Sequence, residues 1–304
     1  MNNSLNLQND HPPFGIFATD MDGTLLPPGR DFMEKDIKAL EYLGRIGVVR
    51  VIATGRSPFS FMRMMGKKRL PVDYLVLSSG AGIQDYRTGE YLRHWVMDAE
   101  SSKRAVECLR KLDLDFCLQE EIPNNHAFTY WYCSRSNPDL ESRIALYSEH
   151  SRPMEENEVI GPSTQIVAVV PLKRSEGVLD KVRGFLGGSY TVLRTTSPLD
   201  GESLWIEIFP AGVSKSQGVQ WIASRYGLTG EDAAAVGNDY NDHDLLEWAA
   251  DSYVVEDSPE HLVSNFTEVP SVYNGGVAEA VRRWLTRKGR LPEKGTGPLS
   301  SGDK

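Results

Sequence analysis

Phe14-Gly-Ile-Phe-Ala-Thr-Asp20-Met-Asp22-Gly-Thr24 is the stretch on which the reading of this fold turns. Phe14–Thr19 is a mostly apolar run that stops abruptly at an acid. A strand covered on both faces gives such a run, without polar alternation. A loop with Gly23, Pro27, Pro28 and Gly29 follows. Met33, Ile37, Leu40 and Leu43 then recur at helical spacing, with Asp31 placed as N-cap and Gly47 as stop. Val48–Ala53 is a second apolar strand, ending at Thr54-Gly55-Arg56, and Tyr74–Leu77 is a third, ending at Ser78-Ser79-Gly80. Strands alternating with helices predict a parallel, doubly wound sheet.

The same grammar returns late in the chain. A helix is predicted from Ser214 to Tyr226, with Val219, Ile222 and Tyr226 on one face. Ala233–Val236 is a short strand ending at Gly237-Asn238-Asp239. Residues 242–250 read as a helix, Ser252–Val255 as a strand and Val277–Leu285 as a last helix. Between about 85 and 210 the pattern is strand-rich and mixed, an α+β grammar. Strands are expected at Tyr91–Val96, Asp115–Gln119, Ala127–Tyr132, Gln165–Val170, Tyr190–Thr195 and Leu204–Phe209. Helices are marked by Ala105, Val106, Leu109 and Leu112, by Leu140–His150, and by Val178, Leu179, Val182 and Leu186. The expected organisation is therefore a discontinuous α/β core, 1–84 and 211–288, interrupted by an inserted domain at 85–210. Residues 1–12 read as loose and 289–304 as a disordered tail.

Composition limits what such a chain does. Its 304 residues suit one large domain or two ordinary ones. With 33 Lys+Arg against 42 Asp+Glu the net charge is -9, which argues against nucleic acid as a partner. Cys108, Cys117 and Cys133 form no C-x-x-C pair, so neither a disulfide framework nor a cysteine zinc site is indicated. A reducing cytoplasm is the simpler setting. The first ten residues lack the basic start and apolar centre of a signal peptide. The run Ile166–Val170 stops at Pro171, and no run approaches the roughly 20 residues needed to span a bilayer, so no membrane partner is expected. Oligomeric state is not legible.

Four polar clusters stand where strands end or a helix begins: Asp20-Met-Asp22-Gly23-Thr24, Thr54-Gly55-Arg56, Lys215, and Gly237-Asn238-Asp239-Tyr240-Asn241-Asp242. Ligands of open α/β sheets gather beyond the carboxyl ends of the strands. Two carboxylates two residues apart suit phosphoryl transfer. Asp20 can attack phosphorus, giving an aspartyl-phosphate. Asp22 can protonate the leaving oxygen and later activate water. Gly23 lets backbone N–H groups approach phosphate oxygens. Thr54 adds a hydroxyl, and Lys215 adds positive charge where the transition state is negative. The fourth cluster offers oxygen ligands for a hard cation, for which phosphate chemistry points to magnesium. Singly, each cluster is more often a turn, a helix cap or a solvated lysine. Their joint occurrence at strand ends is not explained by four separate accidents. An EF-hand loop is excluded, because position six from Asp20 is Leu25 and not glycine. No G-x-x-x-x-G-K-[ST] occurs, and Gly80-x-Gly82 lacks the third glycine of a dinucleotide loop. Tyr130, Trp131 and Tyr132 are placed in the core or on a sheet face, with stacking on a sugar as the alternative. His243 is placed as a surface or supporting residue.

Phe17-Ala-Thr-Asp20-Met-Asp22-Gly23-Thr24-Leu-Leu resembles the first motif of the haloacid dehalogenase superfamily of phosphatases. Ile52-Ala-Thr54-Gly55-Arg56 resembles its second motif in the Cof-type, class IIB form, Gly212-Val-Ser-Lys215-Ser the third, and Gly237-Asn-Asp-Tyr-Asn-Asp242 the fourth. The resemblance spans about 14–285. It implies a Rossmann-like doubly wound core with a mobile α/β cap inserted between the second and third motifs. It makes Asp20 the nucleophile and a metal ligand, and Asp22 the acid/base with its backbone carbonyl on the metal. Asp22, Gly23, Thr54, Gly55 and Lys215 would surround the phosphoryl group, and Asn238, Asp239 and Asp242 would complete the metal set. Arg56 and Asn241 stand beside these as supports or substrate contacts. Asn238 replaces the first acid usual in the fourth motif, and Ser79 stands where the Cof-type pattern has asparagine. The implied activity is a magnesium-dependent phosphomonoester hydrolase acting on a small phosphorylated metabolite, sugar-like in character. The alternatives are a phosphoglycerate-type glycoside phosphatase or phosphomutase of the same superfamily, and a binding or regulatory protein with a decayed site.

Overall fold

A computed structural model describes residues 12–133 and 136–291. The readings made for 1–11 and 292–304 lie outside the described residues. The chain builds two sheets. The first opens with β1 (Gly15–Thr19), α1 (Glu34–Arg45), β2 (Val48–Ala53), α2 (Pro58–Met65), β3 (Tyr74–Leu77), β4 (Gly82–Asp85) and β5 (Tyr91–His94). Then come α3 (Ala99–Lys111), β6 (Asp115–Gln119), β7 (Phe128–Trp131), α4 (Pro138–Leu146), β8 (Ser151–Pro153), β9 (Ile166–Val170), α5 (Val178–Leu186), β10 (Tyr190–Thr196) and β11 (Leu204–Pro210). The chain returns to the first sheet through α6 (Lys215–Ser224), β12 (Ala233–Gly237), α7 (His243–Trp248), β13 (Asp251–Val255), α8 (Glu260–Val263), β14 (Thr267–Val269) and α9 (Gly276–Arg287).

The core sheet has the order β14-β13-β12-β1-β2-β3-β4-β5, parallel from β14 to β3 and antiparallel at β4 and β5. Every residue of β1, β3 and β12 is buried, as continuous apolar runs require when helices cover both faces. One face packs Phe17, Leu40, Leu43, Ile52 and Trp284 with α1 and α9, and the other packs Ile16, Val51, Val76, Val219 and Ile222 with α6. The strand order reverses at β1, between β2 and β12, where open α/β sheets leave a crevice for ligands.

The second sheet, β10-β11-β9-β6-β7-β8, is antiparallel except where β7 meets β8. α3 and α5 cover one face around Phe116, Ala168, Val182 and Ile206. Its other face carries Cys117, Val167, Val169 and Trp205 beneath α4. The architecture is thus a doubly wound core with an inserted α+β cap.

Three sequence expectations shift. The Thr88-Gly89 turn folds β5 back onto β4, so the core sheet continues beyond residue 85. Asp31 does not cap α1: the helix starts at Glu34 after Met33, and Asp31 accepts from the Phe32 N–H instead. The helix expected over Leu140–His150 starts earlier, at Pro138, capped by the Asn137 side chain on the Leu140 N–H, and stops at Leu146.

Candidate active site

Asp20 follows β1 directly and is 5% exposed. Its Oδ1 accepts from the Lys215 ammonium at 2.7 Å. Lys215 is the first residue of α6, whose start is fixed by the Ser214 hydroxyl accepting from the Gln217 N–H. The same ammonium donates to Asp242 Oδ1 at 2.6 Å and to Asn241 Oδ1 at 3.3 Å. Burial works against the charged ammonium, but Asp20 and Asp242 together outweigh it and hold Lys215 protonated. Burial also pushes the Asp20 carboxyl up to about 7, with Lys215 drawing it back.

Asn238 ends up against the same carboxylate. Its side-chain amide reaches Asp20 Oδ2 at 3.1 Å, the Asp22 backbone carbonyl at 3.2 Å and the Thr24 hydroxyl at 3.0 Å. With nitrogen inward the two hydrogens of the amide are shared among these three acceptors. With oxygen inward, three oxygens (Asp20 Oδ2, Asp22 O and Asn238 Oδ1) face one another. Neighbouring oxygens around an octahedral magnesium at 2.0–2.1 Å stand roughly 2.9 Å apart, so this convergence fits such a cation. Only the oxygen-inward amide is compatible with it. Among the described residues no group of three or more His, Cys, Asp or Glu side chains gathers around a common point, because this set relies on an amide and a backbone carbonyl. Gly23, at φ +80°, lies under the amide: a Cβ there would come within 2.5 Å of Asn238 Nδ2.

The other expected ligands have different partners. Asp242 Oδ2 accepts from the backbone N–H groups of Asn238 and Asp239 at 2.9 and 3.1 Å, while its Oδ1 holds Lys215. Asp242 therefore shapes the loop and faces away from the oxygen triad. Asp239 accepts from the Thr196 N–H of the cap at 3.2 Å and from its own neighbour Tyr240. Asp22 is held by both arms of Arg56, Nε to Oδ2 at 2.7 Å and Nη2 to Oδ1 at 2.6 Å, and Arg56 is braced on the Ser60 hydroxyl at 3.1 Å. Thr54 is buried and its hydroxyl accepts from the Arg56 N–H.

A cleft of about 860 Å³ runs between core and cap and is lined by Asp20, Asp22, Gly23, Thr54, Gly55, Arg56, Asn238, Asp239 and Asn241. Lys215 lies behind this wall, 1% exposed. The cap contributes residues the sequence reading missed. Glu207 of β11 is buried and accepts from Ser79 at 2.9 Å, Thr195 at 3.1 Å and Gln165 at 3.3 Å. Burial raises its pKa, and the Ser79 and Thr195 hydrogen bonds oppose that rise. Asn125 donates to the Ser78 hydroxyl at 2.8 Å, and His126 stacks on Phe59 with ring centroids 4.2 Å apart. The aromatic groups on the cleft wall are Tyr147 and Trp205, not the triplet 130–132. Tyr130, Trp131 and Tyr132 pack against the cap's own clusters, and His243 stacks on His261. The signal that could have found Glu207 is its alternation with Trp205 and Phe209, an acid on a strand face otherwise aromatic.

A buried lysine–aspartate pair beyond the reversal point of a doubly wound sheet, roofed by an inserted cap, defines a class of capped α/β phosphoryl-transfer hydrolases. The family model of haloacid dehalogenase-like hydrolases matches residues 17–281, and the chain belongs to that family as a hydrolase of phosphoric monoesters. An HMP-PP phosphatase of Cronobacter sakazakii is 24% identical over 274 residues, covering 88% of this chain and 94% of its own. A chloroplastic protein of Arabidopsis thaliana named endoribonuclease YBEY is 26% identical over 90% of this chain, which spans only 47% of that protein. Among solved structures, the phosphatase BT1666 of Bacteroides thetaiotaomicron superposes with a TM-score of 0.69 at 21% identity, covering 95% of this chain and 100% of that one. The HAD subclass IIB sugar phosphatase BT4131 gives 0.66 at 17% identity, covering 91% and 100%. Among the described residues no helix is long and apolar enough to cross a membrane.

Proposed function

We propose that this hydrolase is magnesium-dependent and releases phosphate from a small phosphorylated metabolite through an aspartyl-phosphate on Asp20. The observation that carries this reading is the division of Asp20 between two settings. One oxygen rests on a buried ammonium, and the other joins a backbone carbonyl and an amide that can present oxygen. Asp20, the Asp22 carbonyl and Asn238 would hold the cation, which supplies positive charge to the phosphoryl oxygens. Lys215 neutralises the nucleophile and keeps one oxygen oriented. Asp20 forms a bond to phosphorus as the bond to the leaving oxygen breaks, and Asp22 gives that oxygen a proton. Water then attacks phosphorus, Asp22 takes its proton, and the Asp20–phosphorus bond breaks. To reach either oxygen, Asp22 must exchange its pairing with Arg56 for the substrate. Thr54 and Gly55 line the pocket where phosphoryl oxygens would sit. The cleft and its amide and carboxylate wall suit a small polar metabolite. Asp239 and Asp242 serve as a cap contact and a loop brace. Residues 211–288 with the chain before the cap form the catalytic body, and the cap selects the substrate.

The test is phosphate release from a panel of phosphorylated metabolites, with magnesium and with chelator, by wild type and Asp20→Asn. Release that needs magnesium and vanishes in Asp20→Asn, with phosphate found on Asp20 by mass spectrometry of acid-quenched wild type, supports the reading. Release that persists in the folded Asp20→Asn protein overturns it.

A further inference from the structure

Arg143 occupies an unusual position for a guanidinium. It projects from α4 into the cleft wall and is half-buried. Its charged end lies over three rings, 4.7 Å from Trp205, 5.2 Å from Phe128 and 5.7 Å from Tyr147. Its Nε is buried without a hydrogen-bond partner. Among the described residues it has no ion-pair partner, although its helix offers one. Asp139 stands four residues earlier, the spacing at which acid and base meet on a helix. Asp139 is turned away: one oxygen accepts from the Trp205 indole at 2.6 Å and the other from Ser197 at 2.7 Å. Glu207, a buried acid on the cleft side that feels the charge of Arg143, has its oxygens taken by Ser79, Thr195 and Gln165.

The other cations of the site are already neutralised. Lys215 is paired with Asp20 and Asp242, and Arg56 with Asp22. Arg30 lies exposed at the rim over Tyr273. Arg143 is thus a partly desolvated cation on the cleft wall that lies over ring faces, near enough to Glu207 and Cys117 to feel them but in a salt bridge with no acid among the described residues. A guanidinium so placed is strongly disposed to accept an oxyanion, because a planar two-armed pairing replaces the water it has lost. The indole of Trp205, fixed by Asp139, offers a flat surface beside it.

We infer that Arg143 is a specificity-determining residue that binds a second anionic group of the substrate, a carboxylate or a second phosphate, remote from the phosphoryl group being cleaved. This rests on the phosphatase reading above and narrows its substrate class to phosphomonoesters with two anionic ends. A charge-assisted contact of this kind discriminates by roughly tenfold to a hundredfold.

The experiment compares matched substrates: 3-phosphoglycerate against glycerol 3-phosphate, and fructose 1,6-bisphosphate against fructose 6-phosphate. The readout is the ratio of kcat/KM within each pair. Wild type is expected to prefer the member with two anionic groups in at least one pair, the carboxylate pair or the bisphosphate pair identifying the anion. Arg143→Met, which retains an apolar stem against the rings, should cut that ratio by roughly tenfold to a hundredfold, and Arg143→Lys should restore part of it. A purely packing role would depress both members alike and leave the ratio unmoved, which overturns the inference. So does a wild-type ratio near one in both pairs. Calorimetric binding of the same four compounds to Asp20→Asn, with and without Arg143→Met, reads the same preference without turnover. A chain that binds the compounds with two anionic groups through Arg143 but never releases phosphate would sink the phosphatase reading and leave Arg143 as an anion-binding residue without a specificity role in hydrolysis.

Discussion

Asn238→Asp tests the meaning of the amide in the fourth motif. In the metal-free protein the Asn238 nitrogen shares its two hydrogens among three acceptors at 3.0 to 3.2 Å. A carboxylate there faces Asp20 Oδ2 and the Asp22 carbonyl with no hydrogen to offer, while the Thr24 hydroxyl can still donate to it. Each lost hydrogen bond is worth about 1 kcal/mol net. Two full charges 3.1 Å apart, the distance to Asp20 Oδ2, repel by about 5 kcal/mol at an effective dielectric of about 20. The new carboxyl will escape part of this by taking a proton, so about 3 kcal/mol of destabilisation is a fair expectation. For a chain of this size that is roughly 6–12 °C in Tm. The added charge attracts a divalent cation, so magnesium should close much of the gap. The assay is thermal unfolding of wild type, Asn238→Asp and Asn238→Leu, in chelator and in saturating magnesium. Asn238→Leu loses the hydrogen bonds without gaining charge, so magnesium should rescue it least. If Asn238→Asp melts like wild type in chelator, or if its deficit is the same with and without magnesium, the amide is not at the cation position.

Four further outcomes are expected. Replacing Asp22 with alanine should slow hydrolysis of an alkyl phosphate more than that of a nitrophenyl phosphate, whose leaving group needs little protonation; equal losses would remove Asp22 from the acid role. Asp20 has its carboxyl raised from 3.8 to about 7, so the folded metal-free protein binds a proton there that the unfolded chain releases earlier. Its contribution is fully present below about pH 3.8 and is lost as pH rises through about 7, and the difference in Tm between wild type and Asp20→Asn should follow that window. Gly80 has φ +112°, and a Cβ there would stand 2.0 Å from the Ser214 carbonyl oxygen, so Gly80→Ala should cost at least about 3 kcal/mol in denaturant unfolding. Gly66→Ala, at φ +56° with nothing within 4 Å, carries the backbone strain alone and should cost about 1 kcal/mol.

The legible parts of this protein are those where one physical demand dominates. β1, β3 and β12 are buried throughout and β2 everywhere but at Arg50, and these runs end where polar residues begin. Those ends are also where the site lies, so Asp20, Thr54 and Asn238 were marked by position and by residue type together. Short elements carry too few residues for a period to register. β8 is Ser-Arg-Pro and β14 is Thr-Glu-Val, each three residues long. Partners across the cleft were invisible for a different reason. Glu207 meets Ser79 from 128 residues away, and Arg143 becomes conspicuous only once Asp139 is seen facing elsewhere. Asp239 and Asp242 have the chemistry of ligands in sequence, and only the direction of their oxygens shows that protein donors already fill them.

The close approach of Gly80 to the Ser214 carbonyl has a mechanical meaning. The chain leaves the core sheet for the cap after β5, at Trp95, and comes back at Val213, and both residues pack in one apolar cluster with Ala81, so the outgoing and returning segments pass at one spot beside Gly80. A body tethered at one spot pivots, whereas a body tethered at two distant spots can only flex along the line between them. Ser79 and Glu207 sit beside the pivot, where rotation carries them little. The touch of Thr196 on Asp239 lies off the pivot, at the fourth motif, and works as a catch on the swing. Opening would therefore part the catch first and spare the fulcrum, and the loop that cradles Lys215 and Asn238 would register whether the lever is up or down.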